Sequence, residues 1–153
     1  METYKHITIV DTNNTCQSFM VEVVLNQLIR QRENCDITVV SRGLVVLFPE
    51  PVSAKAADLV REYGYAIKNF QSEQLTQEDI ESSDLILTIT DGEKQKIYAD
   101  FNPPVGKRIQ TIKEFAESPE CIVADPYGKD QIIYEHCFLA LKYLAERVFD
   151  KIV

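Results

Sequence analysis

The sequence predicts a doubly wound α/β fold, a three-layer sandwich around a four-stranded parallel sheet. Two observations lead there. Runs of strand length such as Ile7-Thr8-Ile9-Val10 and Leu85-Ile86-Leu87-Thr88-Ile89-Thr90 are close to continuously apolar, as strands covered on both faces are. Segments of helical period separate these runs, and strands alternating with helices pair in parallel. With 153 residues, 45% of them hydrophobic, and only 5 Gly and 6 Pro, the chain is expected to form a single globular domain over 1–153.

Ile7 to Val10 is the first expected strand. Met20, Val23, Val24, Gln27 and Leu28 then recur at helical spacing, which predicts a helix over about 17 to 32. Asp36 to Ser41 reads as the second strand, closed by Arg42-Gly43, and Leu44 to Pro51 as a loop. Ser53 suits the N-cap of a helix that reaches Tyr63 and stops at Gly64. Thr76-Gln77-Glu78-Asp79 marks another helix start, with a cap and an acidic first turn. Leu85 to Thr90 is the third strand, Asn102 to Gly106 a loop, and Arg108 to Ile112 a short fourth strand. Asp125-Pro126-Tyr127-Gly128 is a turn. The last helix is expected from about Lys129 to Phe149, with Ile133, His136, Cys137, Ala140, Leu141, Leu144 and Val148 on its core face. Tyr63, Tyr65, Phe70, Tyr98 and Phe101 are further core candidates.

The charge balance is 16 basic residues against 24 acidic, a formal −8. Nucleic acid and anionic membranes are therefore poor partners, being repelled on average. No apolar run approaches the ~20 residues that span a bilayer. The opening Met1-Glu2-Thr3-Tyr4-Lys5-His6 lacks the regions of a signal peptide, so a cytoplasmic location is expected. The cysteines at 16, 35, 121 and 137 form no C-x-x-C pair, and the two histidines stand far apart, so neither a metal nor another cofactor is expected.

Sheets of this class bind ligands beyond the carboxyl ends of their strands. Those ends collect Asp11 to Ser18, Ser41 and Asp91, with the Asp125 turn as a neighbour. A strand, a short polar loop and a helix N-terminus make an anion cradle of backbone N–H groups. Yet the loop Asp11-Thr12-Asn13-Asn14-Thr15-Cys16-Gln17-Ser18 opens on an acid, and no Lys or Arg lies between Lys5 and Arg30. The frame suits phosphate and the side chains oppose it.

The residues resemble the low-molecular-weight protein tyrosine phosphatases over nearly the whole chain. Val10 to Glu22 reads V-D-T-N-N-T-C-Q-S-F-M-V-E where that family has V-C-x-G-N-x-C-R-S-P-M-A-E. Ser41-Arg42-Gly43-Leu44, Pro51 to Ala56, Leu87 to Thr90 and the Asp125-Pro126-Tyr127 turn follow in the family's order. The resemblance implies a cysteine nucleophile at position 11, a phosphate-gripping arginine at 17 and an acid at 125. Here these are Asp11, Gln17 and Asp125, so only the acid is retained. It also implies that Thr12, Asn13, Asn14, Thr15, Cys16 and Ser18 shape the loop and that Asn14, Ser18 and Ser41 support it. Asn13 stands where the family has glycine; asparagine can adopt the left-handed conformation there, at some cost compared with glycine. Cys16 matches a second loop cysteine whose disulfide partner is missing at position 11. Thr15 matches a branch that dephosphorylates arginine.

A carboxylate about 4 Å from a phosphate charge is repelled by ~4 kcal/mol at an effective dielectric near 20. Gln17 supplies no countercharge where an arginine would stabilise the transition state. The expected function is a homologue without cysteinyl-phosphate chemistry, acting on a phosphoprotein or regulatory protein as a binding module. The Asp11 carboxylate is expected to accept the loop N–H groups itself. The alternative is residual or altered phosphatase activity, on phosphotyrosine or phosphoarginine, with Asp125 as acid and base. Asp125-Pro126 also suits a simple helix start, and Tyr127 either lines the site or covers surface.

Overall fold

The computed structural model describes residues 3–153. Met1 and Glu2, the start of the segment read above for a signal peptide, lie outside the described residues. Strands β1 (His6–Asp11), β2 (Thr38–Gly43), β3 (Leu85–Thr88) and β4 (Ile109–Thr111) form one parallel sheet in the order β2-β1-β3-β4. β1 pairs with β2 from His6 opposite Thr38 to Asp11 opposite Gly43, and with β3 from Ile7 opposite Leu85 to Val10 opposite Thr88. The chain thus leaves β1 to one side for β2 and returns to its other side for β3. That reversal opens a crevice at the carboxyl ends of β1 and β3.

Helices cover both faces. Alternate residues of β1 and β3, Ile7, Ile9, Leu85 and Leu87, pack against α1 (Gln17–Gln31), α2 (Ala54–Glu62) and α6 (Gln131–Ile152) through Met20, Leu59, Leu141 and Leu144. The other face, Val10 and Ile86, meets Ile80 of α3 (Gln77–Ser82) and Ile97 of α4 (Asp91–Asp100). The three-layer α/β architecture follows from strands whose two faces are both apolar. No helix among the described residues is long and apolar enough to cross a membrane.

Several element bounds differ from the sequence reading. β2 starts two residues later than expected and includes Arg42 and Gly43, because Gly43 still pairs with Asp11 and exchanges backbone hydrogen bonds with Glu73 and Leu75. β3 ends at Thr88. The N–H groups of Ile89 and Thr90 turn to the Glu93 carboxylate, and Thr90 caps α4, a helix the sequence reading lacked. Thr111 ends β4 and caps α5 (Ile112–Phe115), so the expected fourth strand is shorter by a residue at each end. Along α6 the buried stripe is Tyr134, Cys137, Phe138, Leu141, Leu144, Ala145 and Val148. His136 is exposed, not a packed core residue, because the stripe is centred on the side of Phe138 and Leu141. Tyr63 and Tyr98 are likewise exposed, Tyr65 is buried, and Phe70 stacks edge-on against Phe19 at 4.8 Å.

Candidate functional site

Asp11 ends β1 and Gln17 begins α1, so residues 12–16 must turn the chain at the head of the sheet. The turn is built on Asn14, which is fully buried and left-handed at φ 59. The left-handed residue of the loop is therefore Asn14, and Asn13, which stands where the family has glycine, does not take that conformation. Asn tolerates this region because its short side chain bonds locally. The Asn14 amide donates to Ser18 Oγ and Ser41 Oγ, both at 2.9 Å, and its Oδ1 accepts the Glu73 N–H at 2.9 Å. The Ser41 hydroxyl donates in turn to Glu22 Oε1 at 2.8 Å. Every polar atom of this buried network has a partner, the condition under which such networks hold one loop shape.

Neighbouring backbone completes the frame. The N–H groups of Leu44, Val45 and Ser53 donate to the carbonyls of Asp11, Thr12 and Thr15 at 3.0, 2.9 and 2.8 Å. Gly43 is needed for space: a Cβ there would lie 2.6 Å from Val46 Cγ2 and 3.0 Å from the Asn13 carbonyl carbon. No residue in the first turn of α1 is acidic, and Cys16 offers it no side-chain cap. Asp11 takes that place. Its Oδ1 accepts the Asn14 N–H at 2.7 Å and its Oδ2 accepts the Ser18 N–H at 3.0 Å. The carboxylate so faces the positive end of α1 and neutralises N–H groups that a cradle would present to an anion.

Burial pushes the Asp11 carboxyl above its ordinary range, opposed by the hydrogen bonds from Ser18 and Asn14. Burial likewise raises the Cys16 thiol, with Cys137, Asp11 and Asp125 acting in the same direction, and Cys16 is no thiolate at neutral pH. The Cys137 thiol is pushed up to about 11, mainly by burial. The Gln17 side chain is held by partners outside the loop. Its amide donates to the Ala124 carbonyl at 3.2 Å and to Cys137 Sγ at 3.5 Å, tying α1 to the segment before α6.

A cavity of about 950 Å³ opens above the loop. Asp11, Thr12, Asn13, Thr15, Cys16 and Gln17 form its floor on one side. The start of α4, with Asp91 and Glu93, and the turn with Asp125 and Tyr127 form further walls. Asn14, Ser18 and Ser41 are buried beneath the floor and do not line it. Asp125 does not start α6: Asp130 caps that helix through the Ile133 N–H, while Asp125 Oδ1 accepts the Tyr127 N–H at 3.1 Å in a local turn. Tyr127 both lines the cavity and is exposed.

Glu93 is the carboxylate bonded to the loop that the sequence reading missed, and Lys113 and Glu114 line the cavity as well. Glu93 Oε2 accepts the Thr12 hydroxyl at 3.0 Å, and burial raises its carboxyl. The capping pattern Thr90-Asp91-Gly92-Glu93 carried the signal. Glu22 and the Glu73 N–H were missed as well, and only the folded loop brings them to Ser41 and Asn14.

Residues 6–153 match the sequence profile of the family described as low molecular weight phosphotyrosine protein phosphatase. The chain belongs to that family. As a low-molecular-weight phosphatase homologue it is 31% identical over 138 residues to the protein-tyrosine-phosphatase PtpB of Staphylococcus haemolyticus, covering 90% of this chain and 93% of that one. It is 33% identical over 129 residues to a protein-arginine-phosphatase of Bacillus subtilis, covering 84% of each. The YwlE arginine phosphatase of Geobacillus stearothermophilus superposes with a TM-score of 0.84 at 28% identity, over 97% of this chain and 92% of that one. The low-molecular-weight tyrosine phosphatase of T. tengcongensis gives 0.87 at 29%, over 96% and 99%. Within this low-molecular-weight phosphatase fold, the loop of the present chain carries a carboxylate at its first position and an amide at its seventh.

Proposed function

We propose that this family member does not form a cysteinyl phosphate and instead works as a binding or regulatory module on the phosphatase scaffold. The observation that carries the reading is the pair of hydrogen bonds from the Asn14 and Ser18 N–H groups to the Asp11 carboxylate. A phosphate entering the loop would have to displace a buried carboxylate from those donors or stand beside it. Either costs affinity, and Gln17, turned to Ala124 and Cys137, returns no positive charge. Attack on phosphorus also lacks a nucleophile. Cys16 is a half-buried thiol held protonated, and the partners of Asp11 among the described residues are uncharged hydrogen-bond donors, which supply no full positive charge to an aspartyl phosphate.

Hydrolysis of p-nitrophenyl phosphate tests the reading, comparing the native chain with the Asp11→Cys/Gln17→Arg double variant. The native chain is expected to stay at the background rate and the double variant to gain turnover. Native turnover near ~1 s⁻¹ or faster, the range of working enzymes, overturns the proposal.

A further inference from the structure

The charge of the cavity walls is the opposite of what a phosphate pocket needs. Asp11, Asp91, Glu93, Glu114 and Asp125 all line it, and among the described residues Lys113 is the one cationic side chain that does. Glu114 is answered by Lys94 at 3.0 Å. Among the described residues the hydrogen-bond partners of the other four carry no charge: backbone N–H groups for Asp11, Glu93 and Asp125, the Ser18 hydroxyl for Asp11, the Thr12 hydroxyl for Glu93, and the Gln95 amide for Asp91. Asp11 is buried and lines the cavity floor, and the donors it meets there, backbone N–H groups and the Ser18 hydroxyl, leave its charge without an opposite one.

An independent feature points to a macromolecule. Leu47 and Phe48 are 83% and 72% exposed on the segment that follows Val45, itself hydrogen-bonded to the Thr12 carbonyl. Ile122 and Tyr127, 84% and 83% exposed, flank the Asp125 wall in sequence. Large apolar side chains in water beside a concave site mark contact surfaces.

We propose that this face docks a basic segment of a partner protein, with an arginine side chain entering the cavity toward Asp11, Asp91 and Asp125 and apolar neighbours meeting Phe48 and Tyr127. Charge complementarity selects this occupant. A planar guanidinium matches carboxylates in fork geometry, and an aromatic face takes it from the side. A second copy of the chain, at a formal −8, carries the wrong charge. The inference rests on the reading that the loop does not hold phosphate.

Fluorescence anisotropy tests it with a labelled pentapeptide carrying arginine between leucine and phenylalanine. The comparison peptides carry citrulline or phosphotyrosine at the central position. The arginine peptide is expected to bind at least about tenfold more tightly than either, to weaken with added salt, and to lose about tenfold in the Asp91→Asn/Asp125→Asn variant. Both replaced side chains are on the surface, and a circular dichroism spectrum checks that the variant is folded. Equal binding of the citrulline peptide, tighter binding of the phosphotyrosine peptide, no measurable arginine-peptide binding, or an unchanged variant overturns the inference. So does a native dimer in sedimentation that Leu47→Ser/Phe48→Ser dissociates, because a second copy then covers the face. Aryl phosphate hydrolysis reports separately on the underlying reading: an inactive chain that ignores the arginine peptide refutes this inference alone.

Discussion

Asp11 and Ser18 stand seven residues apart, one ending a strand and the other in the first turn of a helix, and the Ser18 N–H donates to Asp11 Oδ2 at 3.0 Å. The contact closes the loop on itself. It places a negative group at the positive end of α1, where the backbone of this fold is otherwise arranged to receive an anion.

The loop's shape is expected to depend on Asn14. Asn14→Ala removes three side-chain hydrogen bonds and leaves a non-glycine residue without local support at φ 59. A loss of roughly 2–4 kcal/mol is expected in urea denaturation. Asn13→Gly, which restores the family's residue, is expected to stabilise nothing and to cost up to about 1 kcal/mol through chain entropy, because the positive φ lies at Asn14.

Gly43→Ala is expected to destabilise by roughly 1–3 kcal/mol through crowding, since the new methyl meets Val46, the Asn13 backbone and Asn14 Cβ at once. Amide chemical shifts of residues 13 and 14 are expected to move with it. A neutral variant with unmoved shifts would show that the loop yields at no cost.

Burial raises the carboxyls of Asp11, Glu22 and Glu93. Each therefore holds more protons folded than unfolded between its ordinary pKa and its folded one. The stability these groups contribute is fully present below about pH 4 and is lost as pH rises through their folded values. Asp84 and Glu114 act in the other direction: their carboxyls are lowered, and their contribution is lost as pH falls below the ordinary carboxylate range. Maximum stability is expected on the acid side of neutrality. Denaturation midpoints across pH are expected to decline more gently above about pH 5 in Glu93→Gln than in the native chain, because one of the raised groups is gone.

Gln17→Arg alone is expected to leave inorganic phosphate binding undetectable by calorimetry, since the new charge meets Asp11 and Asp125 on the same cavity floor and wall. Combined with Asp11→Cys it is expected to restore binding, so the two changes are non-additive. Binding gained by Gln17→Arg alone would show that Asp11 is no obstacle.

The sheet was legible because its strands are apolar on both faces and because the order of motifs is specific. α4 was not, because its sequence is charged and only Glu93 and Ile97 are buried, leaving almost no helical stripe to read. The site residues near β1 were legible from their place at a strand end. Their roles were harder. Asn13 and Asn14 are chemically identical, and only the three-way bonding to Ser18, Ser41 and the Glu73 N–H selects Asn14 for the left-handed position. The turn of Gln17 toward Ala124 depends on a segment 107 residues away, which no local pattern reports.

The occupied loop is tested most directly by following the Asn14 and Ser18 amide resonances of the native chain during titration with inorganic phosphate. Both are expected to stay fixed, while the same amides shift saturably in the Asp11→Cys/Gln17→Arg variant. Saturable shifts of both amides in the native chain would contradict it, because phosphate would then be reaching donors that the Asp11 carboxylate holds.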